Sequence, residues 1–140
     1  MSAKIDYAVR ATCALAESPG PISTKVLADS NGLPRKFLEE VLNNLRQSGV
    51  LKSKRGVGGG YWCARAPSEI TLADVARPFV ETLSQVRGEP PESGVYKGPT
   101  EHLLAVWAAM GAGLEAVLEQ VTIADIVSGN LPRVVCELPD

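Results

Sequence analysis

The sequence predicts a mainly α-helical fold with a small β-hairpin: a winged helix-turn-helix domain followed by a long C-terminal dimerisation helix. Two short helical segments joined by a turn that contains Gly32 indicate the helix-turn-helix. A glycine-rich stretch between two β-favouring segments indicates the wing, and a long apolar helical pattern near the C-terminus indicates the dimerisation helix. With 140 residues, we expect residues 1–80 to form the winged domain and residues 81–140 to add a loop and two helices to one continuous folding unit.

The first three helices follow from apolar spacing and from residues that end helices. Helix one ends at Pro19, and its apolar positions recur at i, i+3, i+4 and i+7; they are Ile5, Ala8, Val9, Thr12, Cys13 and Ala16. Ser23 is expected to cap helix two, with Val26, Leu27 and Ala28 facing inward. Pro34 is expected to begin helix three, which Gly49 ends; its predicted buried stripe is Leu38, Val41, Leu42 and Leu45.

The first turn of helix three carries two cations, Arg35 and Lys36. Cations are disfavoured there because the helix dipole makes that end positive. In helix-turn-helix proteins, however, the N-terminal residues of the second helix meet DNA, whose phosphates would offset this penalty. We therefore interpret this helix as a recognition helix; the alternative is an exposed helix start that tolerates the penalty.

The glycine-rich stretch at residues 55–60 is interpreted as the turn of a β-hairpin between strands at residues 50–54 and 61–64. A dinucleotide-binding fingerprint would open a helix and place its third glycine where Tyr61 stands, and a P-loop would require a Gly-Lys-Ser/Thr sequence. Both are absent from this stretch. The hairpin is therefore a wing that carries Lys52, Lys54 and Arg55, suited to a minor groove whose negative potential attracts arginine.

The charge is divided unevenly along the chain. Residues 1–65 hold ten Lys/Arg and five Asp/Glu, whereas residues 66–140 hold four and eleven. The excess of positive charge in the first part indicates a nucleic-acid-facing surface, the alternative being an ordinary solvated charge distribution. Acidic and basic residues interrupt the apolar N-terminus and no stretch approaches the length of a membrane span, so we expect a cytoplasmic protein that does not enter the membrane.

The three cysteines, Cys13, Cys63 and Cys136, are scattered and lack CxxC spacing. They predict neither a disulfide framework nor a zinc site, and buried thiols are the simplest interpretation. Oxidation of an accessible thiol remains open. No nucleophile–base pair or paired carboxylates stand out at a useful spacing, so we predict no catalytic residues and no enzyme activity.

The second part of the chain is expected to contain two capped short helices and one long helix. Thr71 with Asp74, and Thr122 with Asp125, have the spacing of a capping box. Proline and glycine make residues 87–100 a loop. From residue 101 to about 121 a long helix places apolar residues at alternating steps of four and three, which is typical of a coiled-coil seam; this predicted dimerisation set is Leu103, Trp107, Met110, Leu114, Val117 and Val121. The seam would alternatively pack within its own chain.

Three segments carry a resemblance to a known family: KIDYAVRA at 4–11, LPRKFLEEVLNNLRQSGVLKSKRGVGGGYW at 33–62, and TIADIV at 122–127. They resemble the Rrf2 family of bacterial winged-helix regulators, which includes iron–sulfur and nitric-oxide sensors. The resemblance implies a homodimeric transcription factor, usually a repressor, that binds double-stranded DNA at a palindromic operator. Combined with the wing, it gives the predicted DNA-binding set: Arg35, Lys36, Phe37, Glu39, Lys52, Lys54, Arg55, Gly58, Gly59 and Tyr61.

One departure from the family separates this chain from its cluster-binding members. Many members hold an iron–sulfur cluster through three cysteines in the loop before the long helix, and residues 87–100 contain no cysteine. Glu101 and His102 stand at the start of the long helix and Asp6 at the helix-one ligand position of some members, but we predict no metal and no cofactor. Control by a small-molecule or protein effector is open. The alternative function is a winged-helix interaction module that docks on a metabolic enzyme.

Overall fold

The computed structural model describes residues 3–79, 92 and 94–136. The mainly helical fold with one antiparallel hairpin is confirmed. Its regular elements, in chain order, are α1 (Ala3–Ala16), α2 (Thr24–Asn31), α3 (Arg35–Gln47), β1 (Leu51–Lys54), β2 (Gly60–Cys63), α4 (Leu72–Ala76), α5 (Leu103–Gln120), α6 (Ile123–Ser128) and α7 (Arg133–Cys136). Short 3₁₀ turns lie at Pro67–Glu69, Arg77–Phe79 and Gly98–Thr100.

The core forms where α1 packs against α2, α3, α4, α6 and β2. The predicted stripe of α3 is fully buried, from Leu38 to Leu45. One inward assignment was wrong, because Val26 is 53% exposed. The eight-residue α2 buries only Leu27 and Ala28, and Val26 precedes them by one position, about 100° around the helix from Leu27.

The turn between α2 and α3 has the local geometry that the sequence indicated. The Ser23 hydroxyl oxygen accepts a hydrogen bond from the Val26 amide at 3.2 Å. Gly32 ends α2 in the left-handed conformation at φ 63°, which glycine adopts at little steric cost. Pro34 differs from the prediction by one position, because its ψ of 120° is extended and α3 begins at Arg35.

The hairpin is short and is anchored at its second strand. Leu51 pairs with Cys63 and Lys54 with Gly60, within one residue of the predicted strand limits. Tyr61 also forms a bridge with Ile22, in the segment before α2. Each of these two residues donates its amide to the other's carbonyl, at 3.0 and 2.8 Å. The wing is therefore fixed to the start of the helix-turn-helix as well as to its own first strand.

Two capping boxes join the C-terminal helices to the core. Both predicted boxes are present, at the starts of α4 and α6, and Thr71 and Thr122 lie opposite each other in an antiparallel bridge. The adjoining Ile70 and Ile123 are fully buried in the same core as α1. The predicted boundary at residue 80 lies outside the described residues and remains a prediction.

Asp74 is the most electrostatically constrained carboxylate of this region. It accepts hydrogen bonds from the Thr71 amide at 3.0 Å and the Arg65 guanidinium at 3.1 Å, and Arg77 lies 3.6 Å away. Burial alone would raise the pKa of Asp74, but the hydrogen bonds from Thr71 and the two arginines outweigh it and lower the pKa. The charged form of Asp74 is therefore the one that the fold favours.

The long helix α5 starts two residues later than predicted, after a turn that contains Glu101 and His102. None of its 18 residues is buried. The expectation that no stretch approaches the length of a membrane span was wrong, because residues Gly98–Gln120 qualify by length and composition, with a mean hydropathy of 1.3 over an 18-residue window. Leucine, valine and alanine supply this apolar character.

Candidate nucleic-acid interface

The amino-terminal end of α3 presents polar side chains on the side opposite its buried stripe. Arg35, Lys36 and Glu39 are exposed, and Arg35 Nε lies 3.5 Å from Glu39 Oε1. This exposed i,i+4 pair holds the guanidinium over the first turn but contributes little stability. A cation and a hydrogen-bond acceptor are thus available together at the helix end that enters a major groove in helix-turn-helix proteins.

Phe37 occupies a different environment from its neighbours in the predicted DNA-binding set. Its ring is half-buried and meets the Tyr7 ring edge-to-face at a centroid distance of 5.2 Å. Lys4 Nζ lies 5.9 Å from the Phe37 ring centroid and 3.1 Å from Glu40 Oε1. Phe37 therefore attaches the start of α3 to α1, and a direct contact with DNA stays a prediction.

The wing exposes its cations on one face and in its turn. Lys52 and Lys54 are exposed and alternate along β1 with Ser53, so they lie on the same face of the hairpin. Arg55 follows in the turn and is also exposed. Since Leu51 is buried on the opposite face, the packing of the hairpin directs the two lysines away from the core.

Sequence reasoning missed Val57, which stands at the tip of the wing between two glycines. Its side chain is fully exposed, at 108% of the reference area, although an aliphatic side chain gains by burial. An aliphatic residue at the centre of a glycine-rich turn was the available signal. Apolar side chains of this kind contact sugars or base steps in a minor groove, so Val57 joins the candidate interface.

The remaining predicted wing residues have structural roles. A Cβ atom at Gly59 would overlap the carbonyl oxygen of Lys54, and one at Gly60 would overlap the carbonyl of Ile22. Gly58 has a φ of 77° with open space around it. Tyr61 is half-buried against the core and forms the bridge to Ile22. Gly59 and Tyr61 therefore shape and anchor the wing, and a DNA contact by Gly58, Gly59 or Tyr61 is untested.

The residues of the predicted dimerisation set differ in exposure and fall into three groups along α5 and just after it. Leu103, Trp107, Leu114 and Val117 are half-buried within one chain, where α5 packs against α4 and α7. Val121 is 2% exposed and is buried in its own chain, so we leave it out of any dimer surface. Met110, at 60%, remains largely exposed together with Val106 and Leu104. Val106 and Met110 are four residues apart and form the exposed apolar side of α5, whereas Leu104 lies on a different side of the helix.

The described residues do not bring together donors for an iron site. Across residues 3–79, 92 and 94–136, no three side chains of His, Cys, Asp or Glu are placed to share a metal ion. His102 is 90% exposed and lies 3.0 Å from Glu101, while Asp6 accepts a hydrogen bond from Arg10. This donor set does not fit an iron–sulfur cluster, which is normally held by four ligands that are mostly thiolates.

Comparison with known proteins supports the interpretation of this chain as a transcriptional regulator. The family model described as Rrf2, iron-dependent transcriptional regulator, matches residues 1–129. A Mycobacterium tuberculosis protein named as an HTH-type transcriptional regulator is 42% identical across this entire chain, which covers 88% of that protein. The HTH-type transcriptional regulator CymR of Bacillus subtilis is 32% identical over 78% of this chain and 74% of its own length.

Solved structures share the fold. The structure of CymR, the global cysteine regulator of B. subtilis, matches with a TM-score of 0.74 and 30% identity, over 91% of this chain and 95% of that one. The IscR structure from T. potens matches with a TM-score of 0.72 and 29% identity, over all of this chain and 92% of that one. Both likenesses extend over the winged helix-turn-helix and the long helix.

Proposed function

Because this chain belongs to the Rrf2 family of transcriptional regulators, we propose that it is a homodimeric, sequence-specific DNA-binding repressor that acts in the cytoplasm. It is a helix-turn-helix regulator and not an enzyme. The observation that carries the proposal is the exposed first turn of α3, where Arg35, Lys36 and Glu39 stand free of the buried stripe. A helix with one buried and one polar, cation-bearing face is what a major groove accommodates.

The polar residues of α3 supply complementary chemistry for base edges. Arginine donates in a bidentate manner to guanine O6 and N7, and a carboxylate accepts from the cytosine amino group. Arg35 and Glu39 lie close enough to contact neighbouring base pairs together, since their side chains already meet at 3.5 Å. In this proposal Lys36 binds phosphate, which contributes affinity for every sequence.

The wing is assigned to the adjoining minor groove. Arg55 and Val57 stand exposed at its turn, a combination of one cation and one aliphatic side chain. Narrow minor grooves attract arginine through their concentrated negative potential. Lys52 and Lys54, on one face of β1, are placed to bind the flanking phosphates. The bridge between Tyr61 and Ile22 supports the proposal because it restricts the wing relative to the start of α2.

The dimer surface is assigned to the exposed apolar side of α5. Val106 and Met110 expose apolar area that is costly to leave in water. Gly113 and the alanines beside it would let a second copy of the helix approach closely. A membrane would also accept an apolar helix of this length, but α5 packs on α4 and α7 of a DNA-binding fold, so we favour a second copy as the occupant.

The family description names iron, and the donor set of this chain argues against a cluster. Residues 87–100 contain no cysteine, and the described residues show no three-donor group. We therefore propose that a small-molecule or protein effector, and not iron, controls the DNA affinity.

Selection from a random DNA pool with metal-free protein tests the proposal. We expect an inverted repeat whose half-sites are separated by about 34 Å, one helical turn, or a multiple of it. Arg35→Ala should weaken binding to the selected site by more than tenfold and relax the preference at one base pair in each half-site, because each of the two bidentate arginine–guanine contacts provides about 1–3 kcal/mol. Failure to enrich any inverted repeat at low salt would refute the proposal.

Arg46→Ala is the matched control, because it removes the same charge from the other end of α3. Arg46 is exposed and donates to Asn43 at 2.7 Å, so the change leaves the buried stripe intact. If Arg35→Ala and Arg46→Ala reduce affinity equally for selected and random DNA, the first turn of α3 only attracts DNA and does not read its sequence.

A further inference from the structure

Two cysteines that are distant in the sequence lie side by side in the fold. The Cys63 thiol points at the carbonyl oxygen of Thr12, with 3.8 Å between sulfur and oxygen. That carbonyl belongs to the peptide unit that leads into Cys13, so the Cys63 sulfur lies within roughly 7 Å of the Cys13 Cα by standard backbone dimensions. The two cysteines are fifty residues apart in the sequence, and α1 and β2 bring them close together in the fold.

An open cavity of about 360 Å³ is lined in part by one of these two cysteines. Its walls are formed by the C-terminal end of α1, the Pro19–Pro21 turn and the segment from Trp62 to Arg65. Cys63 lines the cavity, whereas Cys13 is not among the lining residues. A molecule that enters the cavity thus meets Cys63 first, with Cys13 next to it on the α1 side.

The walls of the cavity suit a neutral molecule. Leu15, Trp62 and the prolines provide apolar surface, and the cation at the rim, Arg65, is already paired with Asp74 at 3.1 Å. The Ser18 hydroxyl is engaged with the Gly20 carbonyl at 2.7 Å. Among the described lining residues, the polar side chains are therefore largely satisfied within the chain, and a charged ligand would find little compensation for its lost hydration.

We propose that this cavity is a modification site for small neutral disulfides, in which Cys63 is the thiol that reacts first and Cys13 is the resolving thiol. Cys63 loses its proton to water and attacks one sulfur of the disulfide RSSR. The S–S bond of RSSR breaks, a mixed disulfide forms on Cys63, and the first RS⁻ leaves and takes up a proton. Cys13 then loses its proton and attacks the Cys63 sulfur, which expels the second RS⁻.

The exchange balances without any further oxidant. Two protein thiols are oxidised to one Cys13–Cys63 disulfide, and RSSR is reduced to two RSH. A disulfide requires a separation of about 4.4–6.8 Å between the two Cα atoms, and the contact of the Cys63 sulfur with the Thr12 carbonyl brings β2 next to this part of α1. The new bond would join α1 to β2, and hence the base of the wing to the helix that supports α3.

The surroundings of the two thiols make the site selective instead of broadly reactive. Burial raises the pKa of Cys13, and the charge of Glu17 raises it further. Burial also raises the pKa of Cys63, and the neighbouring Cys13 raises it further. Both residues therefore persist as thiols in neutral solution, and reaction depends on a disulfide held in the cavity. Cys136 is exposed and serves as the internal reference for a thiol without such a cavity.

Peptide mapping after exposure to 2-hydroxyethyl disulfide tests the proposal on the intact protein. Trypsin should release Cys13 in residues 11–25, Cys63 in residues 56–65 and Cys136 in residues 134–140. We expect a cross-linked species of the first two peptides that lacks two hydrogens and is released by reductant. This assay contains no DNA, so its outcome is independent of the proposed repressor function.

Three serine variants establish the order of the reaction. Cys13→Ser should accumulate the mixed disulfide on residues 56–65, Cys63→Ser should leave residues 11–25 unmodified, and Cys136→Ser should cross-link at the wild-type rate. Wild-type protein that carries adducts only on residues 134–140 would overturn the proposal without reference to any variant. Modification of Cys13 in folded Cys63→Ser at the wild-type rate, with folding checked by circular dichroism, would also overturn the assigned order.

Discussion

Gly60→Ala should detach the wing from the helix-turn-helix while leaving the helices folded. Gly60 has a φ of 136°, a conformation that side-chain-bearing residues rarely adopt. A Cβ atom there would overlap the Ile22 carbonyl and approach the Ser23 amide nitrogen at 2.8 Å. These neighbours are backbone atoms, so they cannot move aside as a flexible side chain would. The alanine can be accommodated only if the Ile22–Tyr61 bridge opens.

The cost of this change can be estimated from the two hydrogen bonds and the backbone strain. The bridge contains hydrogen bonds of 2.8 and 3.0 Å, each contributing about 1 kcal/mol net. An unfavourable φ adds about 1–3 kcal/mol if the backbone stays in place. The chain will adopt the cheaper outcome, so we expect a loss of about 2–3 kcal/mol. For a domain of this size that is a decrease in Tm of about 10 °C.

Thermal unfolding followed by circular dichroism measures the stability, and fluorescence anisotropy with the selected operator measures the affinity. We expect helical signal to be retained and operator binding to fall at least tenfold, because a detached wing loses its defined position. Gly20→Ala is the matched control, since Gly20 has no atom within 4 Å of an added Cβ and no positive φ. Equal Tm and equal affinity for the two variants would refute the steric argument.

Two further predictions concern the dimer surface and the cap of α4. Met110→Glu should convert the dimer to a monomer in light scattering, because it places a charge on the exposed apolar side of α5. The control Val127→Glu, at an exposed apolar site on α6, should leave the mass unchanged. A dimeric Met110→Glu would refute the assigned surface. Asp74→Ala should cost about 1 kcal/mol in urea unfolding at pH 7. Because the pKa of Asp74 is lowered in the folded protein, its contribution to the folding free energy is complete above the unfolded pKa, about 3.9, and is lost as the pH falls through the folded pKa. An equal loss of stability in Asp74→Ala at pH 7 and at pH 2 would contradict this prediction.

Local sequence signals predicted most of the elements because each depends on residues close together in the chain. The four apolar residues of α3 recur at helical spacing, and both capping boxes are set by residues three apart. The hairpin was recognisable from its glycines and β-favouring flanks. Errors arose where periodicity cannot distinguish an inward from an outward position in a short helix, as at Val26. They also arose where leucine, valine and alanine together make a long helix apolar, as in α5.

The sequence predicted the position of the candidate site but not the role of each residue in it. The exposed cations at the start of α3 and along β1 lie where the sequence indicated. Phe37 and Tyr61 were grouped with them from the family resemblance and the wing pattern, yet Phe37 packs against Tyr7 and Lys4 and Tyr61 bridges to Ile22, and these partners are remote in the chain. Such tertiary contacts have no local signature, and neither does the proximity of Cys13 to Cys63.

The contacts of Phe37 and of Cys63 share one helix, which makes α1 a support of both α3 and the wing. Tyr7 holds the start of α3 through Phe37, and the Cys63 contact with the Thr12 carbonyl places α1 against the second strand of the wing. A change that shifts α1 would therefore move α3 and the wing together, without altering a residue of the proposed DNA-binding set. Because the proposed disulfide would form on this helix, its oxidation would act on the position of the wing relative to α3 and not on the exposed side chains themselves.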